Sequence, residues 1–215
     1  MNLDSLKWDE QGLVTVVVQD RLSGEIRMLA HANREALAAT LESGFAHFYS
    51  RSRKQLWRKG ETSGHGIRVH ELWVDCDGDA LIYLADAEGP SCHTLRETCF
   101  FQRATAEGEV QVDPAQHGQP LLPKLWAELV ARREATSGRS YTKSLLEAGA
   151  PKINAKIREE ADELARAIEG EARERVTSEA ADVLYHVLVG LMARDVTLRD
   201  VESELARRFG ISGHD

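Results

Sequence analysis

The apolar pattern changes period partway along this chain, and no single sheet or single bundle accommodates both halves. Before residue 103 it breaks into short runs rich in β-branched and aromatic residues: "LVTVVVQD", "EIRMLAH", "FAHFYS", "IRVHELWVD" and "DALIYLAD". Gly24, Gly44 and Gly78 stand between them, where strands need turns. One segment breaks the rhythm. "NREALAATLESG" starts on the capping residue Asn33, carries Leu37 and Leu41 and stops at Gly44, which predicts a helix of about three turns. After residue 122, "PKLWAELVARREAT", "SYTKSLLEAG", "PKINAKIREEADELARAIEG", "SEAADVLYHVLVGLMARD" and "TLRDVESELARRFG" all carry helical spacing. Pro151 opens one of these helices, and Gly149, Gly170 and Gly210 close others. Proline marks the change: none precedes Pro90, whereas Pro114, Pro120 and Pro123 crowd into "VDPAQHGQPLLPKL". The sequence therefore predicts two domains: a strand-rich α+β domain over 1–103, a linker over 104–121, and an antiparallel all-α bundle over 122–215.

Charge and cysteine usage narrow the function classes. A net charge of −8 argues against nucleic acid or an anionic membrane as the main partner. No apolar run approaches the roughly 18 residues of a membrane span. "MNLDSLKWDE" lacks a signal-peptide pattern, so a cytoplasmic location is expected. There Cys76, Cys92 and Cys99 stay reduced, as metal ligands or as plain buried thiols.

Two constellations carry chemistry. In "KIREEADELARAI", Glu159, Glu160 and Glu163 fall within an arc of about 100° on one helix, and the next helix sets Glu179 and Asp182 on one face. If these helices pack antiparallel, five carboxylates converge, and a hard cation such as Mg²⁺ or Mn²⁺ would relieve their repulsion. A solvated acidic face paired with nearby lysines and arginines is the plain alternative. Asp182 lies among Ala181, Val183 and Leu184, so it is expected to face away from open water and to need a partner.

E-E-x-x-E followed by E-x-x-D resembles the metal signature of the all-α NTP pyrophosphohydrolases. "SYTKSLLEAG", "KINAKIREEADE" and "SEAADVLYHVLVGLM" resemble phosphoribosyl-ATP pyrophosphohydrolase of histidine biosynthesis over about residues 122–209. The resemblance implies Mg²⁺ on Glu159, Glu160, Glu163, Glu179 and Asp182, with Glu160 catalytic, serving to bind the triphosphate and activate water for pyrophosphate release. Lys152 and Lys156 are candidate phosphate contacts or ordinary solvated lysines. Arg158 departs from the small residue usual in that family.

The second constellation is "VDCDGD", Val74 to Asp79. It is not an EF-hand, because counting from Asp75 the sixth position is Ala80 and the twelfth Asp86, not Gly and Glu. In an extended strand, Asp75, Asp77 and Asp79 would share one face and Cys76 the other, separating a hard-cation site from a thiolate site. A hairpin turn at Asp77-Gly78 is the alternative. Cys92 and Cys99 in "SCHTLRETCFF" lack the C-x-x-C spacing of a zinc ribbon. "FYSRSRKQLWRKGETSGH", "VDCDGDALIYL" and "SCHTLRETCFF" resemble phosphoribosyl-AMP cyclohydrolase over about residues 12–103. That resemblance implies Mg²⁺ on Asp75, Asp77 and Asp79, and zinc on Cys76, Cys92 and Cys99 shared across a homodimer. Leu95 and Thr98 stand where that family usually has Gly and Ser.

The implied reaction opens the adenine ring of phosphoribosyl-AMP with a water whose pKa zinc has lowered. His93 is the candidate base, set against a structural hydrogen bond, and His65 a weaker one. The basic run "SRSRKQLWRKG" offers Arg51 and Lys59 for phosphate and Trp57 for the base, or it is simply solvated surface. Together the two resemblances imply a bifunctional hydrolase of histidine biosynthesis whose domains catalyse consecutive steps on phosphoribosyl-ATP and phosphoribosyl-AMP. A house-cleaning nucleotide pyrophosphohydrolase and a non-catalytic zinc-stapled dimerisation module are the competing readings.

Overall fold

The computed structural model describes residues 3–106, 108, 110–112, 120–135 and 140–210. The chain folds into two compact units, with the boundary between Pro120 and Leu121.

The first unit is built on a four-stranded sheet. Strands β1 (Val14–Asp20), β2 (Ile26–Ala32), β5 (Ile67–Val74) and β6 (Ala80–Ala87) lie in the order β2-β1-β6-β5. Only the central β1–β6 pair is parallel. Alternation decides its faces: Val14, Val16 and Val18 point inward with Leu81 and Tyr83, each buried. Each buried valine stabilises the unit by roughly 1.5–3 kcal/mol. Helix α1 (Arg34–Ser43) covers that inner face. Asn33 caps it by accepting the Ala36 N–H at 2.9 Å, and Gly44 ends it at φ +71°. Leu37 enters the core as the pattern predicts, but Leu41 stays exposed and Thr40 takes the buried position. Thr40 can do so because its hydroxyl donates to the Ala36 carbonyl at 2.8 Å.

A hairpin of β3 (His47–Ser50) and β4 (Gln55–Arg58) follows α1, so the basic run holds a strand that its charges concealed. Strands β7 (Gln102–Ala104) and β8 (Val110–Val112) pair antiparallel where the sequence predicts the start of the linker. Of that predicted linker, residues 107, 109 and 113–119 lie outside the described residues, Pro114 among them.

On its outer face the sheet carries an apolar row that crosses all four strands. Leu29, Val17, Ile82 and Trp73 are successive cross-strand partners. Trp73 is 57% exposed, and Leu29 and Ile82 are exposed as well.

Among the described residues the second unit is built of helices: α2 (Leu121–Glu134), α3 (Tyr141–Ala148), α4 (Ala150–Gly170), α5 (Arg173–Met192) and α6 (Leu198–Arg208). Facing residues show that α4 and α5 run antiparallel. Ile157 meets Gly190, Glu160 meets His186, and Glu163 meets Arg175. A side chain at Gly190 would come within 3.2 Å of Ile157, so glycine sets how closely the two helices approach. Leu145, Ile153 and Val189 form one core cluster, and Leu129, Leu188 and Met192 another. Among the described residues, no helix is long and apolar enough to cross a membrane.

Candidate functional site

Asp75 to Asp79 do not extend a strand. β5 ends at Val74 and β6 begins at Ala80, so these residues form the turn between them. This corrects the face-alternation argument, and the cause is local. Asp75 Oδ1 accepts the Gly78 N–H at 2.8 Å and the Ala80 N–H at 3.2 Å, and Gly78 turns the chain at φ +85°. The turn nonetheless gathers the three carboxylates. Asp75, Asp77 and Asp79 each offer an oxygen within 4.8 Å of the others, all exposed to solvent. Lys7 approaches Asp77 at 3.6 Å. Desolvation pushes the Asp75 carboxyl up, but hydrogen bonds from Ala80, Asp77, Gly78 and Asp79 outweigh it and hold Asp75 below its ordinary value. Asp79 is pushed up, first by its hydrogen bond with Asp75 and then by the charges of Asp77 and Asp75. Three crowded oxygen donors fit a hard cation.

Cys92 is buried and Cys99 exposed, yet their thiols interact directly. Burial raises Cys99 to about 11, and the neighbouring Cys92 adds to the shift. Desolvation pushes Cys92 up too, but hydrogen bonds from Thr94 and Cys99 outweigh it and lower that thiol, with Thr94 Oγ1 3.1 Å from its sulfur. His93 is exposed, its Nδ1 3.9 Å from the Cys92 sulfur. Two adjacent thiols suit a soft cation. Cys76, exposed on the β5–β6 turn, forms no three-ligand group with them among the described residues.

The basic segment divides around these thiols. Lys59 is half-buried beside Cys99 and Cys92; burial lowers its pKa against the pull of both sulfurs. Arg51 is exposed and acts electrostatically on His31. Trp57 packs on Phe48 at 5.1 Å between ring centroids, so one part of its indole is core. Its remainder lines a cavity of about 320 Å³ together with Arg53, Arg58, Lys59 and Ser63. His65 lies against Gly89, where any Cβ would come within 2.6 Å of its Nδ1. Gly89 is thus the residue that lets this imidazole reach the thiol loop.

In the helical unit, Glu160 on α4 and Glu179 and Asp182 on α5 place oxygens within 4.8 Å of one another. Burial inverts the expectation for this cluster: Glu179 is 1% and Glu160 9% exposed, whereas Asp182 is exposed. Glu179 and His186, a heptad apart, present the same α5 face to α4, and Asp182 sits at its rim. Glu160 shares the α4 stripe of Ile153 and Ala167, all three buried. Glu163 is half-buried and touches Glu179, while exposed Glu159 turns to Lys156. Lys152 is exposed.

Cations of the chain already answer these charges. Lys156 bridges Glu159 at 3.0 Å and Glu160 at 2.7 Å. Arg175 pairs with Glu179, with Glu163 at 3.0 Å and with Glu171 at 3.5 Å. Even so, Glu179 Oε2 is buried without a hydrogen-bond partner, and desolvation raises the Glu179 pKa against the pull of Arg175. An orphaned buried carboxylate oxygen facing two further carboxylates fits Mg²⁺.

Two contributors escaped the sequence. His186 is buried, with Nδ1 2.9 Å from the Asp182 carbonyl oxygen and 3.9 Å from Glu160 Oε1, and with Nε2 3.2 Å from the Tyr141 hydroxyl. A carbonyl only accepts, so Nδ1 carries a proton there. The spacing of Glu179, Asp182 and His186 on one helix face was the available signal. For Arg175 the available signal was its i, i+4 spacing to Glu179.

Two family models match the chain: Phosphoribosyl-AMP cyclohydrolase over residues 28–101 and Phosphoribosyl-ATP pyrophosphohydrolase over residues 122–209. The chain is 41% identical over 217 residues to the Histidine biosynthesis bifunctional protein HisIE of Wolinella succinogenes, covering 98% of this chain and 94% of that one. Identity to the protein of the same description from Aquifex aeolicus is 43% over 205 residues, covering 95% and 98%. For the chloroplastic protein of Arabidopsis thaliana it is 41% over 220 residues, covering 98% and 77%.

Proposed function

The chain belongs to the family of bifunctional histidine-biosynthesis proteins HisIE, and from that premise we infer how its two units divide the work. It is a hydrolase with phosphoribosyl-AMP cyclohydrolase and phosphoribosyl-ATP pyrophosphohydrolase domains. The helical unit acts first, splitting phosphoribosyl-ATP into phosphoribosyl-AMP and pyrophosphate. The strand-rich unit then opens the adenine ring of that product with water. These are the second and third steps of the pathway. The observation that carries this reading is that each matched region contains its own carboxylate trio within 4.8 Å.

In the helical unit Glu160, Glu179 and Asp182 would hold the ion, with Glu159 and Glu163 beside them on α4. Mg²⁺, when bound, neutralises the triphosphate and polarises it toward attack by water. Lys156, paired with Glu160 at 2.7 Å, and exposed Lys152 would contact the phosphate oxygens. Glu160 is then the buried carboxylate nearest His186, placed to orient the attacking water.

In the strand-rich unit Asp75, Asp77 and Asp79 would hold Mg²⁺, and Arg51, Lys59 and Trp57 would bind the nucleotide. Zinc, when bound, acidifies water for addition to the adenine ring. His93 faces Cys92 through Nδ1, which leaves Nε2 to take the proton. His65 backs the same loop through Gly89.

The third zinc ligand comes from a second copy of the chain. Cys76 sits on the β5–β6 turn, while the Cys92–Cys99 loop is fastened to β2, the opposite edge of the β2-β1-β6-β5 sheet. The apolar row of exposed Leu29, Ile82 and Trp73 with half-buried Val17 is the surface such a copy covers. Mixing Cys76→Ser with Cys92→Ser chains tests it. A shared site regains one intact zinc position in mixed dimers, and a site within one chain regains none.

The division of labour is tested by supplying phosphoribosyl-ATP with Mg²⁺ and Zn²⁺ and following both products. Glu160→Gln is expected to stop pyrophosphate release, and Cys99→Ser to stop only ring opening. Unchanged ring opening in Cys99→Ser overturns the zinc assignment.

A further inference from the structure

Arg27 is a buried cation that the reaction above does not use. It lies on β2 under the loop of residues 89–99, with only 8% of its surface exposed. All three guanidinium nitrogens are engaged. Nη1 donates to Glu25 at 3.0 Å, Nη2 to Glu97 at 2.6 Å and to the Gly89 carbonyl at 3.2 Å, and Nε to Ser91 Oγ at 3.2 Å. The backbone of the same residue reaches the far end of the loop, where its carbonyl accepts the Cys99 N–H at 2.9 Å. Next to it, Thr98 donates its hydroxyl to the Ile26 carbonyl at 2.7 Å.

The two attachments act on different thiols. Cys99 is fixed to β2 through backbone, which any residue at position 27 would supply. Gly89, Ser91 and Glu97 are tied to β2 by the Arg27 side chain, while within the loop the Ser91 and Cys92 N–H groups donate to the Glu97 and Arg96 carbonyls. Between them the loop works against itself: Leu95 adopts φ +63°, a left-handed conformation costing a branched side chain roughly 1 kcal/mol. The loop's own backbone bonds close this turn, and the Arg27 side chain and carbonyl fix where it sits against β2.

We propose that Arg27 is the positioning residue of the thiol site, one side chain and one carbonyl setting the spacing between Cys92 and Cys99 before the metal arrives. Its fork-shaped head makes the role specific. A lysine offers one ammonium to acceptors spread over three directions and cannot hold Glu25, Glu97 and Ser91 together. The inference rests on the reading of Cys92 and Cys99 as zinc ligands.

The test is Zn²⁺ affinity of the full-length protein, measured by competition with a chromophoric chelator below the unfolding transition. Arg27→Leu and Arg27→Lys are each expected to bind zinc about tenfold or more weakly, the range seen when groups supporting a ligand are lost. Glu97→Gln, at the solvent side of the cluster, is expected to weaken zinc by a smaller factor with little change in melting temperature. Wild-type affinity in both Arg27→Lys and Glu97→Gln overturns the positioning role and leaves the zinc site standing. Zinc binding that survives Cys92→Ser and Cys99→Ser overturns the ligand assignment and the positioning role with it. Cobalt in place of zinc separates positioning from folding: a shifted or weakened thiolate-to-cobalt band in folded Arg27→Lys supports the proposal, and an unchanged spectrum opposes it.

Discussion

The two carboxylate clusters each bring three oxygens within 4.8 Å of one another, but by opposite means. Asp75, Asp77 and Asp79 are near neighbours in sequence, held by one turn and open to water. Glu160 and Glu179 come from separate helices and lose nearly all exposure to solvent. Water screens the first cluster's repulsion. The second must answer it with Lys156 and Arg175, and still leaves Glu179 Oε2 without a partner. The lesson is that proximity alone does not measure demand for a cation. An exposed trio can wait empty at little cost, while a buried one is destabilised until something occupies it.

The largest expected effect breaks the comparison at the helical site. Glu160→Gln should lower pyrophosphate release on the order of 100-fold while leaving ring opening of supplied phosphoribosyl-AMP intact. Loss of both activities in steady-state assays of the separate substrates would mean that the units are not functionally independent.

Metal addition sharpens the difference next. At about 100 times its dissociation constant, Mg²⁺ should stabilise the helical unit by about 2.7 kcal/mol, read as a rise in its thermal midpoint. The pH dependence carries a sign. The folded Glu179 pKa is raised, so its contribution is fully present below the unfolded value near 4.5 and is lost as pH rises through the folded value. In chelator, the helical unit should therefore weaken with rising pH across that window. With Mg²⁺ this decline should flatten, as thermal scans at several pH values would show.

Asp75 allows the converse experiment. Asp75→Ala removes the acceptor for the Gly78 and Ala80 N–H groups, and should lower the denaturant midpoint of the strand-rich unit even without metal. Asp77→Ala makes no such backbone bond and should leave denaturant midpoints almost unmoved. The smallest effect lies outside both clusters. Leu95→Gly should relieve the left-handed strain and raise stability by up to about 1 kcal/mol, visible as a shift in urea midpoint at constant slope.

Much of this was legible beforehand, for reasons tied to particular residues. Asn33 and Gly44 bound α1 because caps act within one turn. β1 followed from Val14, Val16 and Val18 because alternation needs no partner to be seen. Strand β4 was hidden, since Gln55, Trp57 and Arg58 read as a charged surface until β3 supplied its other side. The extended reading of Val74–Asp79 failed because the Asp75 side chain competes for backbone N–H groups that a strand would leave to its neighbour. Arg27 was unreadable because its four acceptors lie at positions 25, 89, 91 and 97, far apart along the chain.

The sequence by itself determined that the three aspartates crowd together, because chain connectivity bounds the distance between residues two apart. It also determined the two families, through long matching strings on either side of the prolines. Only the tertiary structure decided that Glu179 is buried while Asp182 meets solvent, the reverse of what apolar neighbours imply. The physical reason is rotational: the face that α5 turns toward α4 is set by Gly190 and Val189 packing against Ile157 and Ile153, and three residues along a helix swing a side chain from that seam to its rim.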